Sequence, residues 1–180
     1  MVVSMKGFLS TSLLCLCSCA SVETRSHFED IAAPICTPGV NLGETHVLLK
    51  TEWRSDQKEP VERAHMAKGV IRKVFQDFPC GRYVEEDTIS NGAAETIIEI
   101  TLREFGPELV FSVPVIWSSN TDVDATIMVT DVGSGRSRFS ASERRRDGGA
   151  FAIKSLSDVP ATFESLLIDW IGKDDGAQRS

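Results

Sequence analysis

The sequence predicts an α+β fold: an antiparallel sheet of five to six strands with two helices packed on one face, in the order β-α-β-β-β-β-β-α. Three observations carry this. Apolar residues recur at spacings of three and four in two separate stretches, near residues 60–78 and 158–171, the mark of amphipathic helices. Between them lie short segments in which apolar and polar residues alternate, the mark of half-buried strands. Turn signals separate those segments, so neighbouring strands are close in the chain and pair antiparallel, leaving the helices to cover one side.

The elements follow in order. His46 to Trp53 (HVLLKTEW) sets Val47, Leu49, Thr51 and Trp53 on one face of a strand. Pro60 opens a helix, since proline fits the first turn, where its missing N–H would be unpaired anyway. Val61, Ala64, Ala67, Ile71, Val74 and Phe78 form its stripe, and Pro79 and Gly81 end it. Tyr83 to Ile89 predicts a short strand. Ile98, Ile100 and Leu102 alternate with Glu99, Thr101 and Arg103, and Gly106-Pro107 reads as a turn. Phe111, Val113, Val115 and Trp117 predict a further strand, with Pro114 pointing to an edge or bulge. Val123, Ala125, Ile127 and Val129 alternate cleanly with Asp124, Thr126 and Thr130. Asp131 to Gly135 (DVGSG) is a hairpin turn, and Arg136 to Arg145 returns as a polar strand. Asp158 is the expected N-cap of the last helix, whose face is Val159, Phe163, Leu166, Leu167 and Trp170.

The first nineteen residues have a different character. Lys6 is the only charge before Glu23, and Gly7 to Cys17 is mostly apolar or small. A cationic start, an apolar stretch of about 7–15 residues and small residues before a cut describe a secretory signal. The stretch is shorter than the ~20 apolar residues that span a bilayer. Leu16-Cys17-Ser18-Cys19 resembles the bacterial lipobox, an aliphatic residue and two small ones before a cysteine. That resemblance implies cleavage before Cys19, a thioether-linked diacylglycerol on its sulfur, and N-acylation (palmitate being the usual type of label). Cys15 and Cys17 match the pattern less well, and an ordinary cleaved signal peptide is the competing reading. Ala20, rather than Asp, after Cys19 resembles the sorting signal of outer-membrane lipoproteins. The expected organisation is a signal peptide over 1–18, a lipidated cysteine and tether over 19–45, one α+β domain over 46–172 and a polar tail over 173–180.

The chain has 180 residues and a net charge of −7. An acidic balance argues against a nucleic-acid partner, because phosphate binding needs a basic face. With Cys15 and Cys17 discarded and Cys19 lipidated, Cys36 and Cys80 remain; they are either a disulfide in an oxidising compartment or two partly buried thiols. No paired histidines or C-x-x-C motif supports a metal, and Asp122, Asp124 and Asp131 are spread along a strand rather than gathered in a calcium loop. His27, His46 and His65 fall on three elements, with no nucleophile elbow, so neither a catalytic triad nor a cofactor beyond the covalent lipid is expected. Arg136, Arg138, Arg144, Arg145 and Arg146 concentrate positive charge in an acidic chain. They are the candidate docking patch for an anionic lipid or an acidic partner, or else a polar edge protected by charge. Trp53 and Trp117 are expected in the core.

The order of elements over residues 46–172 resembles small outer-membrane lipoproteins of the transport-auxiliary and lipopolysaccharide-assembly type, and TDVGSG is similar to a strand turn common among them. The resemblance carries no functional residue. It implies a periplasmic, membrane-anchored accessory or scaffold of an envelope machine, without enzymatic activity and with an envelope protein as partner. A carrier holding a lipid or amphiphile between sheet and helices is the alternative, and a small periplasmic enzyme the third.

Overall fold

A computed structural model describes residues 24–28, 34–85, 94–112, 116–149 and 152–172, with only the backbone placed for 24–28, 85, 109–112 and 116–117. Eight elements follow one another: β1 (Thr24–Phe28), β2 (Glu44–Thr51), α1 (Pro60–Phe75), β3 (Arg82–Glu85), β4 (Thr96–Ser112), β5 (Ile116–Asp131), β6 (Ser137–Asp147) and α2 (Val159–Ile171). The strands form one sheet in the order β1-β6-β5-β4-β2-β3. The α+β class is as expected, and most pairs are antiparallel. β2, however, runs parallel to both β3 and β4. The helix α1 is the reason for the first of these pairs: it returns the chain to the end of the sheet where β2 began, so β3 starts alongside it.

The pleat sorts the residues. Register aligns Val47 with Ile98, Ile98 with Val129, and Val129 with Phe139. Likewise Ile100, Ile127 and Ala141 share a row, as do Leu102, Ala125 and Glu143. The apolar members of these rows face the helices and join Val70, Ile71, Val74, Phe75, Phe163, Leu166, Leu167 and Ile171 in one core. Phe105 and Phe163, both fully buried, meet edge to face with ring centres 5.7 Å apart, an arrangement that aligns the positive edge of one ring with the negative face of the other. The two helices also pack on each other.

Several expectations are revised. The two segments around Gly106-Pro107 are not separate strands: β4 runs through both, and β5 begins at Ile116 and includes Trp117. Pro107 is tolerated because β2 pairs with β4 only as far as Leu102; beyond it β4 is an edge, where a missing N–H breaks no ladder. A bulge between Leu102 and Glu104 marks the change. In α1 the buried stripe starts at Arg63 and Ala67, and Val61 is 83% exposed. Asp158 does not cap α2 with its side chain; its carboxylate accepts the Ser155 N–H at 2.7 Å and closes the short turn ahead of the helix. Gly172 ends α2 at φ +79°, and a Cβ there would lie 2.4 Å from Pro34, so both conformation and space favour glycine. Trp53 is half-buried against the core; Val113 and Val115 lie outside the described residues.

The tether shortens. Thr24–Phe28 pairs with β6 as the sheet's edge strand. Residues 34–43 belong to the domain: the Ile35 and Cys36 N–H groups donate to the Trp170 and Ile171 carbonyls at 2.8 and 3.0 Å, and Leu42 is buried. Cys36 and Cys80 are joined as a disulfide, with Cα atoms 5.5 Å apart, which fastens this segment to the turn after α1. Residues 1–18 and Cys19, with the signal and lipidation assigned to them, and the tail at 173–180 lie outside the described residues.

Candidate interaction site on the arginine strand

The five candidate arginines sit on and just before β6, but they do not form one patch. Successive residues of a strand point to opposite faces. Arg145 aligns with Val123, a core position, while Arg144 and Arg146 align with Asp124 and Asp122 on the other face. The consecutive run 144–146 is therefore divided by the sheet itself.

Arg145 is 1% exposed. Its Nε and Nη2 both donate to Glu143 Oε1, at 2.9 and 2.8 Å. Nη2 also donates to Asp169 Oδ2 at 2.8 Å, and Nη1 to Ser165 Oγ at 2.9 Å. Glu143 is buried too, whereas the Asp169 side chain is nearly half exposed. The buried ion pair is Arg145 with Glu143, both on β6, and the bonds to Ser165 and Asp169 tie that strand to α2 beside the core. Arg145 cannot contribute to an exposed docking patch, because an isolated charge so deep would be strongly disfavoured.

On the other face, Arg144 grips Asp122 with two parallel donors: Nε to Oδ1 at 2.8 Å and Nη2 to Oδ2. Such a fork is among the stronger side-chain pairs, matching planar donor to planar acceptor. Arg146 Nη2 lies 2.7 Å from Glu108 Oε2 and 3.3 Å from Asp122 Oδ2. Asp122 is 1% exposed. Burial pushes its carboxyl up, but the hydrogen bonds and charges of Arg144 and Arg146 more than offset this, leaving it below the usual range. Glu108 moves the other way, raised by burial and by the neighbouring Asp122. The sequence flagged Asp122 only as a weak metal candidate; its role is counter-ion. Among the described residues no group of carboxylates, histidines or cysteines is arranged to hold a metal.

Arg136 and Arg138 are exposed. Arg138 pairs with Asp131 across the hairpin turn, and the Ser134 N–H donates to Asp131 Oδ1 at 2.7 Å. The Ser134 backbone and hydroxyl, then Arg138, hold the Asp131 carboxyl at about 2. What remains reachable is a mixed-charge surface at one end of β6 rather than a cationic field.

Next to Asp122 lies a cleft of about 440 Å³ at the open edge of β4, lined among others by Arg54, Lys58, Arg63, Glu104, Glu108 and Asp122. Arg63 is buried, and its Nη1 donates to the Phe105 carbonyl at 2.6 Å; a Cβ on Gly106 would lie 1.7 Å from that nitrogen. The guanidinium occupies the space that a side chain at 106 would take, so any larger residue there would have to displace it. Burial, and then Asp122, raise the Glu104 carboxyl. A second, more apolar cleft of about 510 Å³ lies between the end of β2 and α1, lined by Trp53, Pro60, Val61, Ala64 and His65 among others. Among the described residues the space between sheet and helices is filled by the core itself: Ile127, Phe105, Phe163, Leu166 and Leu167 are all at 0% exposure.

By fold this is a two-layer α+β protein with a mixed, mostly antiparallel sheet and two helices on one face. The architecture is shared with solved proteins. PelC from Paraburkholderia phytofirmans, crystallised as a dodecamer, matches with a TM-score of 0.52 at 11% identity, over 84% of this chain and 97% of that one. A point variant of the same PelC, also a dodecamer, matches with a TM-score of 0.51 at 11% identity, over 83% and 97%. A lipoprotein from Neisseria meningitidis is a more distant likeness, with a TM-score of 0.41 at 14% identity, over 73% of this chain and 99% of that one. No protein-family model matches the chain. No curated protein sequence matches it either.

Proposed function

We propose that the chain is a lipid-anchored bacterial envelope protein, held at the periplasmic face of the outer membrane through Cys19. There it serves without catalysis as an accessory or scaffold of an envelope transport or assembly machine. The observation that carries this reading is the place of β1. It begins five residues after Cys19 and is hydrogen-bonded along the edge of the sheet to the arginine strand. An anchor at Cys19 therefore fixes one defined edge of the domain near the bilayer, and tethering raises the local concentration of that edge beside membrane-bound partners. The fold shared with dodecameric PelC supports a protein that works through protein–protein contact, self-association included. The filled core speaks against the carrier reading in which an amphiphile lies between sheet and helices.

The anchor is tested by palmitate labelling of cells expressing the wild type and Cys19→Ala. Labelling that disappears in the variant supports the reading; equal labelling in both refutes it. The partner is tested by cross-linking in membranes, comparing wild type with charge reversal at exposed Arg136 and Arg138. Those residues replace the buried Arg145, whose reversal would unfold the protein and mimic lost binding. A specific cross-linked species, either a second copy or another envelope protein, is expected; none in any membrane preparation would sink the accessory role.

A further inference from the structure

Among the described residues four large apolar side chains are exposed, and the two most exposed are Ile153 at 90% and Val61 at 83%. Single exposed apolar residues are ordinary, but these two have complementary settings. Val61 lines the apolar cleft of about 510 Å³ between the end of β2 and α1, together with Trp53, Pro60 and Ala64. Ile153 stands on a segment held on both sides. The Ser119 N–H donates to the Ala152 carbonyl at 2.7 Å, and the Lys154 N–H donates to the Ser119 carbonyl at 2.9 Å. Lys154 Nζ donates to Asp147 Oδ2 at 2.8 Å, and the Ser155 N–H and hydroxyl donate to Asp158 in the next turn. Ile153 is therefore a fixed apolar knob, and a contact made through it costs little ordering entropy.

Register puts knob and cleft at the same end of the sheet, on opposite flanks. Thr51 at the end of β2 aligns with Leu102, and Leu102 with Ala125; Ser119 lies farther along β5 in that same direction. Ile153 is bridged to Ser119. β4 already occupies one side of β5 there, pairing Leu109 with Ser119, so Ile153 takes the other side, just past the last β6 pairing of Thr121 with Asp147. The cleft lies across the sheet on the β2 side. From the β6 position to the β2 position is three strand spacings, roughly 14 Å, with β5 and β4 between. Ile153 is thus kept from the cleft of its own chain. The charges around the two also differ. The cleft carries His65 and Lys68 and no carboxylate among its lining residues. Beside the knob, Lys154 is outnumbered by two carboxylates, Asp147 and Asp158, both acting on it.

We infer that Ile153 of one copy seats in the Trp53–Val61–Ala64 cleft of a second copy of this chain, joining protomers side by side. Apolar surface that each copy exposes to water is then covered, and the acidic surroundings of the knob meet the cationic rim of the cleft. Giver and receiver are different surfaces, so each copy does both at once. The contact is heterologous and propagates into a ring or a row instead of stopping at a two-fold pair. The inference rests on the reading of this chain as a protein that works through protein–protein contact, and it names the contact; it does not depend on a lipid at Cys19.

The test uses the full chain in membranes, with cysteines introduced by Ile153→Cys and Val61→Cys, mild oxidation and non-reducing electrophoresis. Both positions are exposed, so the substitutions should leave the fold intact. The double variant should give a ladder of linked chains that collapses on reduction. Either variant alone should give none, and the two single variants expressed together should stop at dimers, as a heterologous contact requires. The single variants keep every native cysteine and so report any contribution from those. Without introduced cysteines, Ile153→Asp should lower the mass of the detergent-solubilised protein by at least about twofold, to that of one chain, with an unchanged far-ultraviolet spectrum, while Ile153→Leu should keep the wild-type mass. If Ile153→Asp fails to fold, the cysteine ladder decides alone. A double variant that stays monomeric, a ladder from Ile153→Cys alone, or a single variant linked to a different protein overturns the contact. If the ladder is absent but an envelope partner is still cross-linked at the Arg136 and Arg138 surface, the copy-to-copy contact falls and the accessory role stands. Neither signal overturns both.

Discussion

Removing the guanidinium of Arg145 is the sharpest perturbation of this fold. Arg145 is 1% exposed and Glu143 5%, and they share two hydrogen bonds under 3 Å. In Arg145→Met the stem volume is kept but Glu143 is left as a buried, uncompensated carboxylate. Breaking such a pair costs about 3–5 kcal/mol. Asp169 adds little, because its half-exposed side chain regains water. With a urea slope of roughly 2 kcal/mol/M, the midpoint should fall by about 1.5–2.5 M at unchanged slope. Arg145→Ala should cost more, since it also leaves a cavity beside Val123 and α2. The double change Glu143→Leu/Arg145→Met removes both charges and should recover most of the loss, because replacing a buried pair by apolar groups is often neutral or better. Urea titration followed by far-ultraviolet circular dichroism measures all three. A loss under ~1 kcal/mol in Arg145→Met, or a double variant no more stable than the single, would refute the assignment of the pair as a buried, interdependent unit.

Four further outcomes follow from the same geometry. Reducing Cys36–Cys80, or replacing both by serine, should lower stability by about 4 kcal/mol in the chain-entropy picture for a 44-residue separation, read as a loss of denaturation midpoint in dithiothreitol. Phe163→Ala, which empties a fully buried site facing Phe105, should cost about 3–5 kcal/mol in the same titration. The carboxyls at the β4 edge oppose one another in pH. Asp122, lowered from 3.8, contributes stability that is present above that value and lost as pH falls below it through the folded value; Asp122→Asn should remove this part of the acid transition. Glu104, raised from 4.5, favours the fold fully below 4.5 and loses that contribution as pH rises through its folded value. Glu104→Gln should therefore raise the thermal midpoint at pH 7 and lose that advantage near pH 4; a lower midpoint at pH 7 would contradict the assignment.

How much was legible can be seen at single residues. Val123, Ala125, Ile127 and Val129 alternate without interruption, and all four are buried in β5. The α2 stripe is equally direct, because a helix face on a core needs apolar residues at each turn. β1 was missed because TRSHF is an edge strand with polar residues, and such a segment has the composition of a linker. The turn expected at Gly106-Pro107 was a local signal overridden by position: an edge strand accepts proline, and Arg63 needs the space of Gly106. The arginine run was visible as charge, but Asp169 reaches Arg145 only because β6 lies against α2, and it is the covering by α2 that buries the Arg145–Glu143 pair.

By itself, then, the sequence determined the α+β class, the helices and most of the strands, because period, turn chemistry and burial are properties of short stretches. It also carries the lipobox-like signature at Cys19, a pattern four residues long. Tertiary structure alone decided that β2 has parallel neighbours, that the segment after Cys19 enters the sheet, and that the arginines divide between an internal ion pair and a partnered outer face. These depend on which strands lie side by side. A strand's sequence states which residues share a face, but not which face will be closed over by a helix more than a dozen residues away.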